Sequence, residues 1–238
     1  MLSGRIVFVA VLGLAAGLAH AERYEAIDVR DGGTVLGVVR FVGHPPTRPR
    51  LVVDTHTEVC GGEEKFGEAL LIDEDRGVKN VVVYLDGIRR GKSWEAGQYT
   101  LDQEGCRFAP HVLLVPAGAD LAVANNDDIL HMIRADGRKN PPFNVGQPKF
   151  NRRFTKTLHH PEIIKVTCDI HSWMSGYIVV QGHPYFTLTD AKGLFRLTDV
   201  PPGQYDLRFW HEVLGEKSGK VTVKPNEETT VDVRLTST

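Results

Sequence analysis

The chain has 238 residues with 28 basic and 30 acidic side chains, a formal net charge of −2, and 42% hydrophobic content. That balance excludes a general nucleic-acid binder, which needs a surplus of Lys and Arg against phosphate, while the length suits one large domain or two small ones. With three cysteines in all, a disulfide-dense scaffold is also excluded.

The first stretch, MLSGRIVFVAVLGLAAGLAHA, carries Arg5, an apolar run from Ile6 to Ala19 and then Ala-His-Ala. This is the pattern of a secretory signal peptide over residues 1–21, with the mature chain starting near Glu22. The run is too short to span a bilayer and no later run is longer, so no integral membrane segment is expected after cleavage; an uncleaved anchor is the alternative. No Cys stands at the cleavage point to take a lipid, and Ala-x-Ala suits bacterial export to a periplasm or to the exterior. Residues 1–21 contain one charged group, Arg5, so the remainder holds 27 basic against 30 acidic residues.

Past the leader, short apolar runs recur between Gly, Pro, Asn and Asp clusters: TVLGVVRFVG, VKNVVVYLDG, HVLLVPAG, ADLAVANN, EIIKVTC and GYIVVQG. Long helical periodicity is missing. Frequent short strands with turn signals predict an all-β protein, and the length predicts two sandwiches with at most a turn or two of helix.

Export makes Cys60, Cys106 and Cys168 informative, because an odd thiol in an oxidising compartment needs a reason to stay reduced. A Cys60–Cys106 bond would close a loop of about 47 residues, worth about 4 kcal/mol on the loop-entropy model. Cys168 is then left over. It lies in VTCDIHSWMSGYIVV, residues 166–180, where Cys168, His171 and Met174 follow one another every third residue on a tight turn between two strands. Upstream, ADLAVANNDDILHMI brings His131 to a strand end after a polar turn. One thiolate, two imidazoles and a weak axial thioether make the ligand set of a mononuclear copper electron-transfer site, soft sulfur suiting Cu(I) and imidazole suiting Cu(II). Zinc fits less well, since thioether is a poor donor for it and a closed zinc site uses four Cys and His ligands.

On these residues the segment from about Tyr99 to Gln181 resembles a cupredoxin, the family of plastocyanin and amicyanin, and Cys-x-x-His-x-x-Met is similar to the amicyanin spacing. CRFAPHVLLVPAGADLAVANNDDILH is similar to the family's opening strands through Phe108, Pro110, Gly118, Asn126 and His131. The resemblance implies a type 1 copper ion with His131, Cys168 and His171 as strong ligands and Met174 axial. It departs at Met132, which stands where plastocyanin-like members carry an Asn that ties the two ligand loops together.

Farther on, TDAKGLFRLTDVPPGQYDLRFWHE alternates Phe195 with Leu197 and then Tyr205, Leu207 and Phe209 around a Val-Pro-Pro-Gly turn. This resembles a carboxypeptidase regulatory-like domain, a transthyretin-like sandwich, and GTVLGVVRFVG is similar to that family's first strand. A nested organisation follows, with residues 22–94 and 183–238 in one sandwich and the cupredoxin, 95–182, inserted; a tandem arrangement is the alternative. The resemblance implies a scaffold or contact role, and His211 reads as a strand-end residue.

Catalytic signatures are missing. No His-x-His pairs mark a multicopper oxidase, no Cys-x-x-Cys-His a c-type haem, no Gly-x-Ser-x-Gly a hydrolase elbow, and His159-His160 reads as solvated loop. The function expected is a periplasmic or secreted electron carrier with a redox donor and acceptor. A copper-holding or extracellular contact module is the alternative. The connection from Arg134 to Lys156 has seven basic residues against Asp136 alone, so Arg138, Lys139, Arg152 and Arg153, with Trp173 beside the ligand turn, are expected to dock an acidic-faced partner.

Overall fold

The computed structural model describes residues 24–237, so the leader expected over residues 1–21 lies outside the described residues. Among the described residues, no helix is long and apolar enough to cross a membrane. The first part of the chain forms β1 (Glu25–Ala26), β2 (Gly33–Val42), the one-turn α1 (Thr57–Cys60), β3 (Val82–Asp86) and β4 (Arg90–Gly91). The middle forms β5 (Tyr99–Gln103), β6 (Phe108–Ala109), β7 (Val112–Pro116), β8 (Asp120–Ala124), β9 (His131–Ala135), β10 (Phe143–Gln147), β11 (Arg153–Thr157), β12 (Glu162–Cys168) and β13 (Ser175–Gln181). The last part forms β14 (Phe186–Leu188), β15 (Leu194–Val200), β16 (Gly203–His211), β17 (Gly215–Val223), β18 (Glu228–Thr230) and β19 (Val233–Thr236).

These strands make two sandwiches, in keeping with the all-β pattern. One has a sheet ordered β14-β3-β16-β17 facing a sheet ordered β15-β2-β18, with β19 also on β2. Period-two alternation turns Val35, Val39 and Phe41 of β2 into a core shared with Leu85, Phe195 and Phe209. Gly37 lets that strand pass close to its neighbour, since a Cβ there would lie 1.9 Å from the Val231 carbonyl oxygen. The other sandwich pairs a five-stranded sheet, β10-β9-β12-β13-β7, with a four-stranded one, β11-β8-β5-β6. Its core includes Leu101, Phe108, Leu121, Ile133, Ile164 and Ile178. Burying one such side chain is worth about 1.5–3 kcal/mol, so these interiors, rather than any surface ion pair, hold the sheets together.

The two sandwiches meet at a buried seam. Val82, Val112 and Val179 are buried there, Tyr177 meets Trp210 edge-on at 5.0 Å between ring centroids, and His111 Nε2 bonds to the Glu212 carboxylate.

The basic connection after β9 is partly strand. It folds into two edge strands, β10 on β9 and β11 on β8, because Phe143 and Phe154 each find an apolar place against the second core and meet edge to face at 5.9 Å between ring centroids. Arg138 and Lys139 precede β10, at the far end of β9 from His131. Their backbone N–H groups donate to Glu162 Oε1 at 2.6 and 3.0 Å, and Glu162 opens β12 six residues before Cys168. Six strand steps span about 20 Å.

Glu162 also accepts from the Asn140 backbone and side chain through Oε2. Burial opposes its charge, but the N–H groups of Asn140, Lys139 and Arg138 outweigh that and bring its pKa to about 2. The folded value lies below the unfolded one of about 4.3, so the contribution is whole above that pH and lost as pH falls towards 2. Glu162→Gln should therefore unfold at lower urea than the parent at pH 7, with the gap narrowing at pH 2.5. An unchanged gap at the lower pH refutes this account.

Candidate metal centre

β9 and β12 run antiparallel side by side, with Cys168 opposite Ile133. The period-two pleat turns His131, Ile133 and Ala135 inward from β9, and Ile164, Val166 and Cys168 inward from β12. After Cys168 the chain turns back into β13, and the turn is closed by Met174 N–H on the His171 carbonyl at 3.0 Å and Cys168 N–H on the Met174 carbonyl at 3.2 Å. His171 is thereby folded back over Cys168. Its Nδ1 lies 3.4 Å from Cys168 Sγ and 3.0 Å from His131 Nδ1, while Sγ and His131 Nδ1 are 3.9 Å apart. One ligating atom from each of these three buried residues falls within 4.8 Å of the others, so the cluster could hold a metal ion. Met174 is buried in the same core as Cys168.

Each imidazole is held from behind. His131 Nε2 meets Asp127 Oδ2 at 2.8 Å, and Asp127 also accepts the backbone N–H groups of Gly105 and Cys106 at 2.8 Å each. Burial is the largest influence and disfavours charge on both partners, yet together their hydrogen bond, the Cys106 and Gly105 N–H groups on Asp127, and Cys168 beside His131 outweigh it: Asp127 is held below the usual carboxylate range and His131 above the usual imidazole value. Burial likewise works against a Cys168 thiolate. The His131 ring and the backbone N–H groups of Met132, Ile170 and His171 more than offset it and lower the thiol's pKa. His171 titrates at about 4, because burial and the neighbouring His131 and His56 all disfavour a charged ring.

The loop tie that Met132 lacks as a side chain is made by its backbone. Met132 N–H points at Cys168 Sγ at 3.4 Å, and the Met132 carbonyl accepts Asp169 N–H at 3.0 Å. Asp169 is clamped by both Arg134 Nε and Nη2, at 2.8 and 2.9 Å. Asn125 braces the other loop, donating to the Ile129 and Gln147 carbonyls and accepting Asp127 N–H.

Cys60 and Cys106 are bonded, and Cys168 is the free, buried cysteine. Trp173 packs on His171 at 5.0 Å and donates its Nε1–H to the Cys106 carbonyl. Arg152 pairs with Asp128 in the first ligand loop, and its carbonyl accepts Asn125 N–H, so Arg152 and its exposed neighbour Arg153 stand at the site end of the sandwich. Arg138 and Lys139 do not. His211 ends β16, accepting Val213 and Leu214 N–H on Nδ1, and His159-His160 is exposed beyond β11.

Two residues escaped the sequence reading. Asp127 lies four before His131, a spacing that could have suggested it; His56, whose Nδ1 is 3.0 Å from His171 Nε2, had as its one signal a place four before Cys60.

Residues 177–236 match the family model of the carboxypeptidase regulatory-like domain. The carboxypeptidase regulatory-like match starts within β13, takes in β14 to β19 and does not reach β2, the strand on which β15, β18 and β19 pair. No curated protein sequence matches the chain. Similar solved structures include a copper-containing nitrite reductase from Thermus scotoductus SA-01, 26% identical, covering 38% of this chain and 24% of that one with a TM-score of 0.33. This chain thus spans about a quarter of the nitrite reductase's length. A purple cupredoxin from Nitrosopumilus maritimus is 19% identical, covering 35% of this chain and all of its own, with a TM-score of 0.31. Amicyanin from Paracoccus versutus is 16% identical, covering 37% of this chain and 86% of its own, also at 0.31.

Alkylation of the metal-free, denatured but unreduced protein should modify one cysteine, Cys168, as read by peptide mass analysis. Three modified cysteines would sink the pairing.

Proposed function

We propose that the chain is an exported copper protein that carries single electrons between a donor and an acceptor protein, holding one type 1 ion through His131 Nδ1, Cys168 Sγ and His171 Nδ1 with Met174 as the weak axial thioether. The observation that carries this is the convergence of two imidazole nitrogens and one acidified thiol in a buried cluster with no carboxylate among the inner atoms. When bound, copper supplies a one-electron couple that this mixed soft and borderline donor set serves in both oxidation states. The chain's own part is rigidity. Asp127 fixes the His131 tautomer, Met132 and Arg134 fix the Cys168 turn, and the core keeps water away, so the donors need little rearrangement when the charge changes.

The domain division goes with this reading: residues 95–182 are the copper module, and 22–94 with 183–238 are the scaffold, a nesting supported by the pairing of β2 and β3 with strands after residue 185, although the stretch with Val53, His56 and Cys60 packs on the copper module's loop end. Export to a periplasm or the exterior is supported by the leader pattern and by the Cys60–Cys106 bond. One observation favours the alternative of a copper-holding module: His171 is 0% exposed, whereas an electron carrier needs a route out.

The purified, copper-loaded protein should absorb strongly in the visible, bleach on reduction and recover on oxidation. Cys168→Ala should abolish the colour, and Met174→Leu should keep copper and raise the potential, since the axial ligand tunes rather than holds. A colourless parent refutes the electron-carrier reading.

For docking, the basic pair is Arg152 and Arg153, tied to the first ligand loop through Asp128, with Trp173 packed on His171. With an acidic redox partner, the bimolecular rate should fall as salt rises, because the screening length is about 8 Å at 0.15 M. Changing both arginines to Glu should slow it at low salt and leave the spectrum intact; an unaltered rate assigns the basic run to solubility alone.

A further inference from the structure

We infer that His56 is the outer wall of the centre, a positioning residue that holds the His171 ring by its Nε2–H and closes that ring's outer edge to solvent and small reagents. The inference rests on His171 binding its metal through Nδ1, which leaves Nε2 to carry the proton and donate it to His56 Nδ1, 3.0 Å away.

His171 belongs to a turn at the loop end of the sandwich, where a ring would ordinarily meet water, yet it is fully buried. Three rings enclose it: His131 at 4.7 Å, Trp173 at 5.0 Å and His56 at 5.2 Å between centroids. His131 supplies the inner face. Trp173 is itself tied down through the Cys106 carbonyl, and His56, half-exposed, stands on the hydrogen-bonding edge.

His56 is fixed as firmly as what it covers. Its backbone takes the left-handed conformation, φ 50°, and its carbonyl accepts the N–H groups of Val59 and Cys60 at 3.0 and 2.8 Å. Cys60 is bonded to Cys106, whose carbonyl receives the Trp173 indole. The chain therefore closes a circuit, His171 to Trp173 to Cys106 to Cys60 to His56 and back to His171, in which every step is a ring contact, a hydrogen bond or a covalent bond. A left-handed histidine is uncommon for a non-glycine residue and is held here by the turn into α1. What that turn achieves is the placement of one nitrogen on one ligand's outer edge.

The test uses the full mature chain and two variants that suit φ 50°. His56→Gly removes the ring without backbone strain, and His56→Asn keeps an acceptor near the Nδ1 position, Asn being among the residues that tolerate this conformation. In the reduced protein, whose copper(I) is diamagnetic, proton NMR should show a slowly exchanging His171 ring N–H in the parent and in His56→Asn, and its loss to solvent exchange in His56→Gly. In the copper-loaded, reduced protein, hexacyanoferrate(III) takes one electron per molecule; this oxidation should be several-fold faster in His56→Gly and close to parent in His56→Asn, with the visible band retained in all three. Equal ring-proton exchange in His56→Gly and parent overturns the inference, as does an equal rate of oxidation. If none of the three proteins takes up copper, the electron-carrier reading falls and this inference with it, whereas equal ring-proton exchange in the copper-loaded proteins overturns the role of His56 alone.

Discussion

The bond between Cys60 and Cys106 carries the support of both buried imidazoles. From Cys106 the backbone N–H reaches Asp127, whose carboxylate holds His131 Nε2. From Cys60 the N–H reaches the carbonyl of His56, whose ring faces His171 Nε2. The two ligand candidates come from different strands and different turns, yet their outer nitrogens are referred to the same covalent link. In the chain-entropy account such a bond across 46 residues of separation is worth about 4 kcal/mol to the fold. Its larger consequence is geometric, because segments that would otherwise drift independently are held to one frame of reference.

Electrostatics works on that frame. Asp127 is an acid taken largely out of water, and such a group is costly unless hydrogen-bonded. Two backbone N–H groups and one imidazole satisfy it, which in turn favours a proton on the outer nitrogen of His131 and frees Nδ1 to face Cys168. The thiol gains from the same arrangement, since an imidazole and several backbone N–H groups favour its anion. A buried acid, a buried base and a buried thiol are each unfavourable alone. Together they compensate one another, with nearly no solvent exposure.

Much of this could be read in the chain. The alternation of Ile164, Val166 and Cys168 fixes which side of β12 the thiol leaves, and the three-residue steps to His171 and Met174 require a tight turn. The strand end at His131 could be read from the polar NNDD that precedes it. What stayed hidden depends on long-range contact. His56 and His171 are 115 residues apart in sequence, and no local pattern around THTEVC shows which ring it will meet. The strands β10 and β11 were obscured by Pro141, Pro142, Gly146 and Pro148, which read as loop until Phe143 and Phe154 are seen against the second core. The same folding separates one run of charge: Arg152 reaches the ligand loop, while Arg138 is carried to the other end of β12. Met132, judged by its side chain, gave no hint that its backbone would make the tie.

The pairing of β2 has a consequence for the order in which the chain acquires structure. β2 is followed at once by a segment that belongs to the other sandwich's loop end, and its partners β18 and β19 lie at the opposite terminus; Val38 N–H donates to Asp232, 194 residues later. Closing so long a loop before any partner is in place is entropically unfavourable, whereas the strands from β7 to β13 pair over smaller separations, the widest being β13 on β7. The inner sandwich can therefore condense early and draw the two remote ends together. β15 covers one edge of β2, but until β18 and β19 emerge the other edge stays unpaired, so a chain delivered from its N-terminus spends that interval with an apolar strand open to other molecules. On the proposed nesting the middle sandwich organises the strands that flank it, and the exposure of β2 ends only when the last strands are delivered.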